Sequence, residues 1–129
     1  MEPVSEVLRV EVSAVTTARR WLMSSQSGWE ALWDSVPVHE RGVRTLPVID
    51  FRHDVVVVVS GGVGRSGAPA LTFDGYAIYG DTTDVFVRRA DPGAGCSIAE
   101  DVTALSIAGR VPRRSGPVRT IQRRVTKCG

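Results

Sequence analysis

Along residues 4–15 hydrophobic and polar positions alternate, with Val4, Leu8, Val10, Val12 and Ala14 on one side, interrupted by Glu6. Ser5, Arg9, Glu11 and Ser13 fall on the other, interrupted by Val7, so the segment reads as a strand with one mostly apolar face. The period then changes. Ser25-Gln26-Ser27-Gly28 supplies cap and turn residues, and Trp29, Leu32 and Trp33 recur at i, i+3 and i+4, which predicts a short amphipathic helix. Pro37, Gly42 and Pro47 break that spacing, so the helix is expected to end near Val36 and give way to a loop. Residues 51–60 contain five consecutive valines. Their stiff, β-branched side chains suit a pleated sheet, and the unbroken run predicts a central strand buried on both faces. The helix should therefore pack its tryptophans on either Val55, Val57 and Val59 or the alternate pair Val56 and Val58. Trp21 stands apart, near Arg19 and Arg20, and is the tryptophan least expected to be fully buried.

The rest of the chain reads as strands and turns. Residues 61–69 hold four glycines, Gly61, Gly62, Gly64 and Gly67, with one proline, the composition of a hairpin loop. A strand over 70–79 carries Leu71, Phe73, Tyr76 and Ile78 and is broken by Asp74-Gly75 as a turn or bulge. Gly80-Asp81-Thr82-Thr83 turns into a strand over 84–90, and Asp91-Pro92-Gly93-Ala94-Gly95 turns again. Strands near 97–98, 103–111 and 118–125 complete the series. Short strands at this spacing predict a mainly β fold, an antiparallel sandwich or partly open barrel with one short α-helix on an end or face. The 129 residues are expected to form one domain, 1–129.

Composition is that of a globular protein, with 43% hydrophobic and 23% charged residues, and the longest apolar run, 55–59, is too short to span a membrane. The net charge of +2 is unevenly placed. Arg110, Arg113, Arg114, Arg119, Arg123, Arg124 and Lys127 crowd the last twenty residues without an acidic residue among them. Such a tail either meets an acidic surface or forms a solvated edge strand whose charges deter unwanted pairing. No aromatic residue follows Phe86, so the stacking platforms that nucleic-acid binding would use are missing from the tail, and no nucleic-acid partner is expected.

Two cysteines, Cys96 and Cys128, are an even count, and Cys128 is the penultimate residue, where a chain frays unless tied down. A disulfide between them is expected. It would stabilise the fold by roughly 3–4 kcal/mol on the chain-entropy argument and imply an extracytoplasmic, oxidising location. Free thiols are one rival reading; a metal pair is another, weakened because no histidine lies near either cysteine. Met1-Glu2-Pro3 opens directly into polar sequence, so the signal segment of an exported precursor is expected to be absent from this chain.

Catalytic chemistry has few candidates. His39 and His53 are the only histidines, and no Gly-x-Ser-x-Gly elbow accompanies them. A metal set of His39, Asp50, His53 and Asp54 would place the Arg52 cation between two carboxylates on one strand face, which opposes a second cation. Residues 61–67 lack the Lys-Ser or Lys-Thr ending of a phosphate loop, and Asp81-Thr82-Thr83-Asp84 lacks the ligand series of a calcium loop. No cofactor is expected.

Taken in order, the Trp-Glu-Ala-Leu-Trp helix, Val48-Ile49-Asp50-Phe51 before the valine strand, Gly75-Tyr76-Ala77-Ile78, Pro92-Gly93-Ala94-Gly95-Cys96, Arg110-Val111-Pro112-Arg113 and the closing Cys128 resemble the PrcB-like C-terminal domain family. The resemblance covers residues 27–129. A stretch that is compact in the family is spread here over 61–76, with Asp74 in place of a glycine. The resemblance implies an exported, often lipid-anchored accessory protein, without catalytic residues, that stabilises or assists a protease. The candidate partner-binding residues are Gly61, Gly62, Gly64, Arg65 and Gly67 in the glycine-rich segment, Tyr76, and Arg119, Arg123 and Arg124 on the basic terminal strand. Two alternatives stand beside this reading: a secreted protease inhibitor acting through residues 61–69, and a small hydrolase centred on His53.

Overall fold

Among the described residues, seven strands and one helix follow in the order β1 (Ser5–Val10), β2 (Ala18–Met23), α1 (Gln26–Ser35), β3 (Asp54–Arg65), β4 (Ala70–Tyr79), β5 (Thr82–Asp91), β6 (Val102–Pro112) and β7 (Val118–Thr126). They are seen in a computed structural model, which describes residues 1–10, 17–37, 44–65, 70–91 and 102–126. The strands form a four-stranded sheet, ordered β1-β6-β3-β2, and a three-stranded sheet, ordered β4-β5-β7. The fold is mainly β, as the alternation predicts, with the sheets packed as in a sandwich and one short helix.

β3 is the shared wall of two apolar clusters. Val55, Val57 and Val59 face the smaller sheet, where they meet Leu71, Val85 and Val87, and they are joined on the same face by Leu105, Ile107 and Val111 of β6. Val56 and Val58 face α1 and pack with Leu8, Val10, Trp29, Trp33, Val36 and Ile49. The two sets alternate along one strand because successive side chains point to opposite faces, so a strand covered on both sides must be apolar throughout. The helix thus takes the alternate pair of valines. Ser25 caps it, its Oγ accepting from the Gly28 N–H at 3.2 Å, and Trp29 Nε1 donates to the Pro47 carbonyl at 2.9 Å, fixing the following loop against the helix.

Three features depart from the expectations. Of the strand expected over 4–15, β1 covers Ser5–Val10 and 11–16 lie outside the described residues, while β2 is an additional strand paired to β3. The glycine-rich segment begins as strand: after a register shift between Ser60 and Val63, β3 resumes pairing with β6 through Val63, Gly64 and Arg65. Gly62 turns this bulge with φ +79°, and a Cβ there would come within 3.1 Å of the Ala18 nitrogen. Of the loop expected over 61–69, residues 61–65 belong to β3, and 66–69 lie outside the described residues. Lastly, β5 and β7 pair in parallel, whereas every other pair among the described strands is antiparallel. Between them the chain enters the larger sheet as β6 and returns in the direction of β5, which a hairpin cannot do.

The Asp74-Gly75 break is a bulge, with the β4–β5 register shifting between Phe73 and Gly75. Glu2 pairs with Tyr76 through reciprocal 2.8 Å main-chain bonds, placing the N-terminal residues on the outer edge of β4. The expected strand at 97–98, the turn at 92–95, and both Cys96 and Cys128 lie outside the described residues.

Candidate functional site

Two edge strands meet at one open side of the sandwich. β2 ends the larger sheet and β7 ends the smaller one. Alternation along β2 turns Trp21 and Met23 towards the helix-side cluster and leaves Arg20 and Leu22 on the side of the smaller sheet. Arg20 Nη1 reaches across and donates to the Thr120 carbonyl at 3.0 Å. On one side of this link a hollow of about 250 Å³ is lined by Trp21, Leu22, Val57, Val118 and Thr120. On the other lies a space of about 390 Å³ lined by Ala18, Arg19, Arg20, Ser60, Arg89, Gln122 and Arg124. Together they make a groove between two sheet edges, with arginines in the lining at one end.

The guanidinium groups arrive from separate parts of the chain. The Arg19 group lies 4.4 Å from the centroid of the Trp21 ring, a cation–π contact that orients it along β2. Arg89 Nη1 donates to the Gly61 carbonyl at 3.2 Å, which holds β5 against the bulge of β3. Arg124 comes from β7, on the face shared with Gln122, as period two requires.

The other arginines proposed from sequence point away from the groove. Arg119 and Arg123 share the outer face with Ile121, as the alternation predicts, but both meet acidic residues. Arg119 binds Asp84 with two contacts, Nε to Oδ1 at 2.7 Å and Nη2 to Oδ2 at 2.9 Å. Asp84 is only 3% exposed, and the hydrogen bonds from Arg119, with its charge, hold the carboxyl below its ordinary value while raising the Arg119 value. Asp84 thus contributes stability above the unfolded carboxyl value of 3.8 and loses it as the pH falls through its lowered folded value. Arg123 Nη2 lies 3.9 Å from Asp74, which also faces Arg88 Nε at 3.8 Å. Arg119 therefore pairs with a buried carboxylate on β5 while its own side chain stays 63% exposed.

Tyr76 is half-buried and packs against the cluster between the sheets rather than on display. Gly61 and Gly62 are buried in β3, Gly64 and Arg65 continue its backbone, and Gly67 is outside the described residues. The sequence reading missed Arg19, Arg20 and Arg89. Arg19 shares the helix-side face of β2 with Trp21, two residues on, whereas its neighbour Arg20 reaches β7.

His53 sits at the opposite rim, in the turn that leads into β3. Its Nδ1 lies 2.7 Å from Asp50 Oδ2, and Asp50 Oδ1 accepts from the Arg52 N–H at 3.1 Å. The hydrogen bond to His53, with that from Arg52, holds the Asp50 carboxyl to about 2, and the same contact raises the His53 value. No hydroxyl or thiol bonds to the His53 ring among the described residues, and His39 lies outside them. Both groups are exposed, so the pair is a solvated dyad. Its contribution is full between the ordinary Asp and His values, 3.8 and 6.5. It fades as the pH rises through the raised His53 value or falls through the lowered Asp50 value. Nuclear magnetic resonance of the ring protons should give a His53 midpoint above 6.5 that returns towards it in Asp50→Asn; an unchanged midpoint in that variant would remove the dyad.

Among the described residues no group of three or more potential metal ligands is assembled, and no helix is long and apolar enough to cross a membrane. No protein-family model, curated protein or solved structure matches the chain.

Proposed function

We propose that the chain is a non-enzymatic binding domain that docks another protein on the groove between β2 and β7. The observation that carries this is the meeting of two sheet edges beside a polar, open-sided space lined by Arg19, Arg20, Arg89 and Arg124. Edge strands offer main-chain groups to an added segment, and the side chains beside them set its register. The resemblance of residues 27–129 to PrcB-like domains makes a protease in an extracytoplasmic compartment the partner of choice.

A photo-crosslinking residue tests the docking site directly. Placed at Gln122 or Leu22 it should link the copurifying protein, whereas at Arg52, on the far rim, it should not. The linked protein should carry peptidase activity. Equal linking at all three positions would displace the groove. Turnover of a peptide or ester by the pure chain, abolished by His53→Ala, would replace the binding reading with a hydrolytic one.

A further inference from the structure

We infer that the partner adds an extended strand to the free edge of β7 and sets an apolar side chain beside Ile121; this rests on the protein-binding reading above. Among the described residues four strands lie at sheet edges, and three are ill suited to extension. β1 and β2 have six residues each, and β1 is bulged between Glu6 and Leu8. On β4, Glu2 already pairs with Tyr76, and Arg9 Nη2 donates to the Leu71 carbonyl at 2.9 Å. Short, bulged or covered edges resist added strands. β7 is different, with nine residues that pair with β5 in unbroken register.

The ladder shows which groups β7 offers. The Thr83 N–H donates to the Pro117 carbonyl at 2.9 Å while Thr83 stands opposite Val118, so Arg119, Ile121 and Arg123 turn their main chain to β5. Thr120 and Gln122 turn theirs outward. The Thr120 carbonyl meets Arg20, and beyond that link the Gln122 N–H and C=O face the open side. A strand laid there gains main-chain bonds, while the side chains it sets against its neighbours give specificity.

The outer face of the smaller sheet sets what that strand carries. Three rows run across β5 and β7: Asp84 with Arg119, then Phe86 with Ile121, then Arg88 with Arg123. The flanking rows are ionic, Arg119 on Asp84 and both Arg88 and Arg123 on Asp74, so the middle row is an apolar stripe between paired charges. It starts at Met1, whose side chain lies over Gly75 opposite Phe86, and stops at Ile121, 39% exposed on the edge. Met1, Phe86 and Ile121 line one open recess of about 450 Å³. A β-branched or aromatic residue on an added strand continues the stripe and covers Ile121. A second copy of this chain fits less well. The antiparallel register that sets Ile121 on Ile121 also sets Arg119 of each copy directly opposite Arg123 of the other, and like charges so placed weaken the pairing.

Amide hydrogen exchange of the full chain, followed by nuclear magnetic resonance, is the test. The added strand is a peptide of alternating threonine and valine between terminal lysines, matched to the nine residues of β7. In the free chain the Gln122 amide should exchange faster than those of Ile121 and Arg123, which bond to β5, and with peptide in excess it should slow by about tenfold or more. Ile121→Asp should weaken peptide binding, read from the same signals, by about tenfold or more. Gln122→Pro should do likewise, because the N–H it removes faces outward and not β5. Folding of each variant is checked by circular dichroism. Ile78→Asp, on β4, should bind as the parent does, and the same peptide with asparagine for valine should not bind. No peptide binding, binding without slowing of Gln122, or equal binding by Ile121→Asp would each overturn the inference. So would slowing of Gln122 without peptide as the chain is concentrated, the mark of a second copy. Failure with the peptide while partner crosslinking at Gln122 persists removes strand addition and leaves protein docking standing; loss of crosslinking at both Gln122 and Leu22 removes the binding reading itself.

Discussion

Trp29→Ala should lower the midpoint of thermal unfolding by roughly 10–20 °C. Trp29 is 0% exposed and sits where α1, β3 and the loop before it converge. Truncating a buried tryptophan costs about 3–5 kcal/mol through lost burial and the cavity left behind. Each kcal/mol moves the midpoint of a domain this size by roughly 3–4 °C. The variant also loses the hydrogen bond from Nε1 and leaves the Pro47 carbonyl without that donor. Val48→Ala, at a residue 89% exposed beside that carbonyl, should melt with the parent. A Trp29→Ala midpoint within two or three degrees of the parent would show that the helix is not part of the core.

Gly109→Val should be the second severe substitution, lowering the midpoint by about 5–10 °C from an overpacking cost of roughly 1–3 kcal/mol. Gly109 lies in β6 against Val4 and the Phe73 ring of β4: a Cβ there would overlap Val4 Cγ1 and come within 2.8 Å of the Phe73 ring. The gain in strand preference on replacing glycine is smaller than the cost of parting the sheets. Val4→Ala in the same chain should recover part of the loss, because the two side chains would compete for one space and their effects are then non-additive. Calorimetry of the two single variants and the double variant measures this, and strict additivity would show that the collision is not what destabilises Gly109→Val.

The elements legible in the sequence were those whose pattern follows from their own burial. The five valines announced a strand covered on both faces, and Trp29, Leu32 and Trp33 after a serine cap announced a helix with one apolar stripe. Asp74-Gly75 announced its bulge. β2 was illegible because an edge strand half in solvent needs no clean alternation, and Arg19 and Arg20 obscured what remained. The groove was harder still. Its cations come from β2, β5 and β7, and only the parallel pairing of β5 with β7 brings Arg89 and Arg124 to the side of Arg20. For Arg119 the face was readable from period two, but the buried acid it meets lies 35 residues away on a neighbouring strand, where no local pattern points.

The position of β6 between β1 and β3 fixes when the chain can fold as it is made. Synthesis delivers residues from the N-terminus, yet β1 reaches the rest of its sheet through β6, and β7, later still, completes the smaller sheet on β5. Five strands and the helix have therefore been synthesised before either sheet can close. During that interval the β3 valines, which need cover on both faces, lack the strand that pairs them on one edge, and exposed apolar strands of this kind invite association between nascent chains. A chain halted after β5 should thus be held by chaperones or lost to aggregation, and release of the whole chain should be followed by slow, non-local closure of the two sheets.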